Sequence, residues 1–168
     1  LKSLDAPQRV IYAGTFSKAL FPALRCAWLV VPVKQIAQFR HQASLAPCAV
    51  PVLWQNTLAD FLREGHFWRH LKKMRQHYAQ RRQWIEQALT QQGFQVVPQK
   101  GGIQMVIRMI GDDIAHARKA NAAGLAVQAL SDWRIRSSGE GGLLLSFTNI
   151  VNEGMARQVA QQLRKALS

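Results

Sequence analysis

The chain has 168 residues, 48% of them apolar, enough to bury a sizeable core in one or two compact units of a globular α/β protein. No stretch approaches the roughly 18 consecutive apolar residues of a membrane span, and the opening LKSLDAPQRV has neither a signal-peptide core nor an initiator Met, so the chain reads as a piece of a longer, non-membrane protein. Its 22 Lys and Arg against 9 Asp and Glu give a formal net charge of +13, which attracts phosphate-bearing partners; without zinc-finger spacing, an RNP-like aromatic motif or a helix-turn-helix, it excludes specific nucleic-acid readout by this segment.

In chain order, Arg9 to Ala13 and Ala27 to Val33 predict two short buried strands of a larger sheet, rich in Val, Ile, Leu and aromatics and punctuated by Gly14 and Pro32. Between them runs Gly14-Thr15-Phe16-Ser17-Lys18-Ala19-Leu20-Phe21-Pro22-Ala23-Leu24-Arg25, which sets one lysine among two hydroxyls and an arginine. A lysine that condenses with an aldehyde must spend part of its time neutral, and a neighbouring cation favours that state. A dianionic phosphate needs several donors in a fixed fork, which the hydroxyls of Thr15 and Ser17, the backbone N–H of Gly14 and the Arg25 guanidinium supply. The turn reads as a pyridoxal-phosphate anchor; the competing reading makes Lys18 a solvated turn lysine and Arg25 a surface charge. Cys26 and Cys48 stand at a spacing that matches no metal or redox motif and read as small buried hydrophobes in a reducing, cytoplasmic compartment.

A short helix is predicted at 34 to 42, then an extended connection through Pro47 and Pro51, then a helix at 52 to 63. From Gly65 to Gln92, the apolar positions Phe67, Leu71, Met74, Tyr78, Ile85 and Leu89 recur three or four apart and predict a long amphipathic helix ended by Gly93. Its polar face carries Arg69, Lys72, Lys73, Arg75, Arg81 and Arg82 against Glu86, and reads as a solvated face or a stripe facing DNA. His66 and His70 stand four apart on it, but Phe67 takes the place of the glutamate in a zinc-protease HExxH, and no metal site is expected.

Beyond Gly93 the pattern predicts a strand at 94 to 97, a turn at Gly101-Gly102, a strand at 103 to 110, a helix from Asp112-Asp113, strands at 125 to 130 and 143 to 149, and a final helix. In that last helix Met155, Val159 and Leu163 line one face, and Asn152 and Glu153 suit its N-terminus. Gly139-Glu140-Gly141-Gly142 precedes a strand and not a helix, so it reads as a hairpin-like connection rather than a nucleotide loop.

The segment Val10 to Pro32, VIYAGTFSKALFPALRCAWLVVP, resembles the cofactor-lysine segment of fold-type I aminotransferases. It is closer still to the C-terminal aminotransferase-like domain of the MocR-type regulators of the GntR superfamily. HLKKMRQHYAQRRQWIEQAL at 70 to 89, and LLLSFTNI followed by NEGMARQVAQQL, carry the likeness through nearly the whole chain. The resemblance implies an α/β fold, the C-terminal portion of a fold-type I PLP-dependent transferase. On this basis 1–64 is the remnant of a large cofactor-binding domain, 65–92 an interdomain helix and 93–168 a small C-terminal α/β domain. The resemblance also implies pyridoxal 5'-phosphate as cofactor, Lys18 as the catalytic residue bonded to it, and Thr15, Ser17, Lys18 and Arg25 as its binding residues. The partners implied are a small amine or amino-acid effector, DNA through an N-terminal winged helix-turn-helix outside this chain, and a second copy in a homodimer. The aspartate that pairs with the cofactor pyridinium, and the aromatic that stacks on its ring, would come from sequence before Leu1.

One departure from the aminotransferase pattern bears on function. Leu144 occupies the place where many of those enzymes carry an arginine that clamps the substrate carboxylate. Loss of such a charge-assisted contact weakens amino-acid binding about ten- to a hundredfold unless another residue, Arg134 or Arg136, substitutes. Three readings therefore compete: an effector-sensing regulator domain, which the TFSK motif and Leu144 favour; a working aminotransferase; and a basic nucleic-acid-binding module.

Overall fold

Tyr12–Thr15 (β1) and Ala27–Val30 (β2) pair antiparallel, with Tyr12 opposite Val30 and Thr15 opposite Ala27, in a computed structural model that describes residues 2–45, 50–135 and 139–168. Both strands are shorter than the sequence predicts. The first begins late because the Asp5 carboxylate accepts the N–H groups of Arg9 and Val10, each at 2.8 Å, which diverts them from a ladder. The strands were also expected to be buried and are mostly exposed: Tyr12, Trp28, Leu29 and Val30 all reach solvent. Two strands form only a ribbon, and its small core is Phe16, Cys26 and Leu58, with Leu20, Leu24, Val50, Leu62 and Phe67 packed around it.

Pro32 ends β2 and starts a single 3-10 turn at Val33–Gln35 that runs into α1, Ile36–Leu45, which ends three residues later than expected. The proline connection that follows lies partly outside the described residues, as do Pro47 and Cys48. Pro51 is described; with φ −54° and no N–H to satisfy, it starts α2, Val52–Arg63. The next helix, α3, spans His66–Gln91. Gly93 ends it at φ +82°, donating to the Thr90 carbonyl at 2.9 Å while Phe94 donates to Leu89 at 3.0 Å. The chain divides into two compact units, Leu1–Leu71 and Lys72–Ser168, so the division falls inside α3.

The second unit is two-layered. Its sheet has the order β3-β5-β4, wholly antiparallel, from Gln104–Met109 (β3), Val127–Ala129 (β4) and Gly141–Ser146 (β5). Period-two alternation puts Met105, Ile107, Val127, Ala129, Leu143 and Leu145 on one buried face. Against them pack Ile85, Ala88 and Leu89 of α3, Ala117 and Ala120 of α4 (Asp113–Ala122), and Ala156, Ala160 and Leu163 of α5 (Glu153–Leu167). The caps are those the sequence predicts: Asp112 accepts from Ile114 and Ala115, and Asn152 from Met155. The strand expected at 94–97 is reduced to one bridge, Val96 to Ile107, beside β3. A 3-10 turn at Leu130–Trp133 that the sequence reading missed follows β4.

Two further expectations are corrected. Gly141 and Gly142 are not connection but the first residues of β5, opposite Met109 and Arg108. Gly142 is glycine because a Cβ there would stand 2.9 Å from the Ile107 carbonyl oxygen. Nor do all the cations of α3 form a solvated face. Arg81 is half-buried and donates to the Thr148 carbonyl, and Arg82 pairs with Glu86 at 3.3 Å.

Asp113 ties these pieces together. Only 3% exposed, it accepts the N–H of Gly142 at 2.8 Å and of Ser131 at 3.2 Å, joining α4 to β5 and to the turn after β4. Burial pushes its carboxyl up, but the bonds from Gly142 and Ser131 and the charge of Arg134 outweigh that and hold it below the usual carboxylate value. A depressed native pKa contributes stability that is full above the unfolded value near 3.8 and is lost as pH falls through the lowered native one. Asp113→Asn is therefore expected to cost about 1.5–3 kcal/mol at pH 7. Denaturant melts of the two proteins should converge as the pH is taken below 4; a gap that stays constant with pH would show that the charge of Asp113 is not what stabilises the unit.

Candidate cofactor site

The β1–β2 ribbon determines which polar groups come together. Its ladder runs one rung past Thr15–Ala27, to the bond from Phe16 N–H to the Cys26 carbonyl at 3.1 Å. One residue beyond that rung lie Ser17 on one side and Arg25 on the other. The Thr15 hydroxyl is 3.0 Å from the Ser17 hydroxyl and accepts the Ser17 N–H at 3.1 Å, so the two hydroxyls share one local turn. Phe16 points into the small core and pins the turn between them, meeting Phe67 edge to face with ring centroids 5.7 Å apart. The Leu20 N–H closes the turn onto the Phe16 carbonyl at 2.7 Å. Lys18, at the crest, is exposed and has no side-chain hydrogen bond or ion pair among the described residues.

Arg25 carries backbone strain. Its φ of +49° and ψ of +32° are left-handed, and its N–H donates to Pro22 at 3.2 Å to close a 3-10 turn at Pro22–Leu24. Such a conformation costs a bulky residue on the order of 1 kcal/mol. A glycine would hold the turn more cheaply. The Arg25 side chain is exposed and, like that of Lys18, has no partner among the described residues.

This donor set fits a phosphorylated aldehyde. Two hydroxyls, a lysine and an arginine lie on one short ribbon end. The only carboxylates in residues 1–71 are engaged elsewhere: Asp5 caps Arg9 and Val10, Asp60 pairs with Arg63, and Glu64 contacts His66. A dianion arriving here would meet cations and hydroxyls without first displacing an acid. Thr15 also borders a cleft of about 970 Å³ whose walls include Tyr12, Phe16, Trp28, Phe67 and Trp68. Gly14 is part of the same wall, where a Cβ would collide with the Trp28 indole. Sequence reasoning did not find the aromatic cleft, because Phe67 and Trp68 are brought to the ribbon by a helix that starts at His66, far along the chain from the end of β2 at Val30. His66 and His70 are committed to other contacts, the former to Glu64 and Arg69 and the latter to the Ala19 carbonyl at 2.9 Å. Among the described residues no cluster of three His, Cys, Asp or Glu is present, and no helix is long and apolar enough to cross a membrane.

In the second unit, Leu144 lies on the sheet face opposite the helices, paired with Val106 and Gln128. Of the two arginines considered as substitutes for a clamp at that position, Arg136 lies outside the described residues. Arg134 is tied by its guanidinium to the Glu140 carbonyl, within the electrostatic reach of Asp113.

Comparison with known proteins follows these features closely. The model for aminotransferase class I and II matches residues 2–140. The chain is 34% identical over 172 residues to the probable rhizopine catabolism regulatory protein MocR of Rhizobium meliloti, a match covering 99% of this chain and 34% of that protein. It is 40% identical over 101 residues to the HTH-type transcriptional regulator TauR of Rhodobacter capsulatus, covering 60% of this chain and 21% of TauR. The chain thus spans about a third or less of the curated relatives it matches. The crystal structure of Pyrococcus horikoshii kynurenine aminotransferase, solved in complex with PMP, matches with a TM-score of 0.85 at 23% identity, over 99% of this chain and 42% of that one. The fold is that of part of a fold-type I aminotransferase.

Proposed function

We propose, from the premise that the chain belongs to the aminotransferase class I and II family, that it is the pyridoxal-phosphate-binding, effector-sensing part of a transcription regulator whose DNA-binding domain lies outside it. The similarity to MocR and TauR supports the regulator, and the observation that carries it over a working enzyme is Leu144. A strand with leucine where the family's enzymes clamp a substrate carboxylate lacks a contact that also orients the amine for reaction, and orientation is needed for turnover but not for sensing. The test is operator binding by the whole protein with and without cofactor.

In this reading Thr15, Ser17 and Arg25 hold the phosphate and Lys18 supplies the amine that bonds to the cofactor. Pyridoxal phosphate, when bound, supplies an aldehyde for an amine ligand and an electron-withdrawing ring. The residues themselves bind, orient and exchange protons. The hydroxyl pair and Arg25 fix the phosphate end, the Phe16 anchor keeps Lys18 from drifting relative to it, and Lys18 Nζ takes up or returns a proton. The division into a large-domain remnant over 1–64, a connecting helix and a small domain over 93–168 belongs to the same proposal, as do a homodimer and a cytoplasmic location. A PLP-dependent aminotransferase remains the second reading, favoured by the family match itself.

Arg25→Ala removes a charged phosphate contact worth about 1.5–3 kcal/mol. Cofactor affinity in the whole protein should fall about ten- to a hundredfold, while covalent attachment at saturating cofactor survives. An unchanged titration would return Arg25 to the surface charges. Arg25→Gly serves as the companion: it loses the same contact but relieves the left-handed backbone, so it should bind cofactor as weakly as Arg25→Ala while unfolding at higher denaturant.

A further inference from the structure

With leucine at 144, a ligand carboxylate needs a different cation, and the face of the β3-β5-β4 sheet opposite the helices carries one. Alternation puts Gln104, Val106 and Arg108 of β3, Gln128 of β4, and Leu144 and Ser146 of β5 on that face. Arg108 stands opposite Gly142, so it is the diagonal neighbour of Leu144, a position within reach of a long side chain. Above Gly142 the space is already filled, by Val106 Cγ1 and Leu130 Cδ2. Val106 and Leu144, directly paired, form a small apolar floor beside it, and the exposed Gln104 and Gln128 flank that floor with amides.

Arg108 already holds a carboxylate. Its Nη1 lies 2.8 Å from Glu140 Oε2, with the arginine side chain 46% and the glutamate 73% exposed. An ion pair this open to water contributes little and exchanges readily. Arg134, another guanidinium near this edge, is committed to the Glu140 carbonyl.

We propose that Arg108 is the carboxylate-binding residue of this face, taking a small aliphatic carboxylate whose chain rests on Val106 and Leu144, and that Glu140 is an internal carboxylate which occupies Arg108 until the ligand displaces it. The inference rests on the reading of the chain as a ligand-sensing domain and identifies the chemistry that domain recognises. It moves the anion contact from one strand to the next. A bidentate arginine discriminates a carboxylate from its neutral amide, whereas a leucine at 144 discriminates nothing polar.

The test uses the whole cofactor-loaded protein, titrated at fixed ionic strength with butyrate, succinate and butyramide and followed by ligand-observed NMR. Butyrate and succinate should bind at least tenfold more tightly than butyramide. Arg108→Gln should lose that preference, Arg108→Lys should keep part of it, and Glu140→Gln should tighten both carboxylates severalfold by removing the competitor. Circular dichroism confirms that each variant is folded; if Arg108→Gln is not, Arg108→Lys and Glu140→Gln decide the matter. Carboxylate binding that is undetectable in the wild type, equal to that of butyramide, or indifferent to Arg108 overturns the proposal, as does a Glu140→Gln variant that binds no more tightly. Operator binding is read separately. A cofactor effect on DNA without carboxylate preference overturns this site alone, and carboxylate preference without any cofactor effect on DNA overturns the regulator reading alone.

Discussion

Lys18→Ala is expected to abolish covalent retention of cofactor by the whole protein after borohydride reduction and denaturation, from near one equivalent to none. The expectation follows from how few amines the ribbon offers. Residues 1–71 contain three lysines, Lys2, Lys18 and Lys34, and Lys18 alone sits on the turn that carries the hydroxyl pair. Lys34 lies in the 3-10 turn beyond the far end of β2. Phe16, buried one residue before Ser17, fixes the turn, so replacing its exposed crest should change stability by no more than about 0.5 kcal/mol. Lost retention would then be chemistry and not unfolding. Mass spectrometry of the reduced, digested protein checks both halves: the cofactor mass should map to the peptide containing Lys18, and the alanine variant should carry none. A reduced cofactor still attached in the variant would remove Lys18 from the site.

The parts of this molecule legible in the sequence are those that local chemistry specifies. Gly93 ends α3, and Asp112 and Asn152 cap the helices they precede, because each needs only its own few neighbours. The turn at 14–25 was legible for the same reason: its hydroxyls, lysine and arginine lie within a dozen residues. What escaped is what distant residues decide. The exposure of β1 and β2 was not legible either, because apolar composition tells that a strand can be covered and not which residues cover it. Asp113 read as a helix-start residue, and only the fold brings Gly142 and Ser131 to its carboxylate. Arg81 looked like one more cation on a polar face until Thr148 came within its reach. The Arg108–Glu140 pair joins residues thirty-two apart, and no short-range pattern announces it.

Regulator and enzyme separate most sharply when turnover and DNA binding are measured on one preparation. If Leu144 leaves the whole protein without a carboxylate clamp of enzymatic strength, common amino acids and 2-oxo acids should be converted slowly and incompletely, with at most one half-reaction per cofactor. The proper ligand should instead shift operator affinity through the coupling between two sites, typically about 1–3 kcal/mol or roughly 5- to 150-fold. The charge of this chain makes one control essential. A charge of +13 attracts DNA whatever its sequence, and such a background falls steeply with added salt, so a ligand supplied as a salt can mimic an effect on the operator. Operator and non-specific DNA must therefore be titrated at matched ionic strength, with and without cofactor. A sensor moves the operator curve and leaves the non-specific curve in place, because its ligand changes the distribution between conformations and not the total charge. Rapid multiple turnover together with an operator curve that ignores the cofactor would make the protein an aminotransferase, and Leu144 would then be an enzyme's way of accepting a substrate held by other residues.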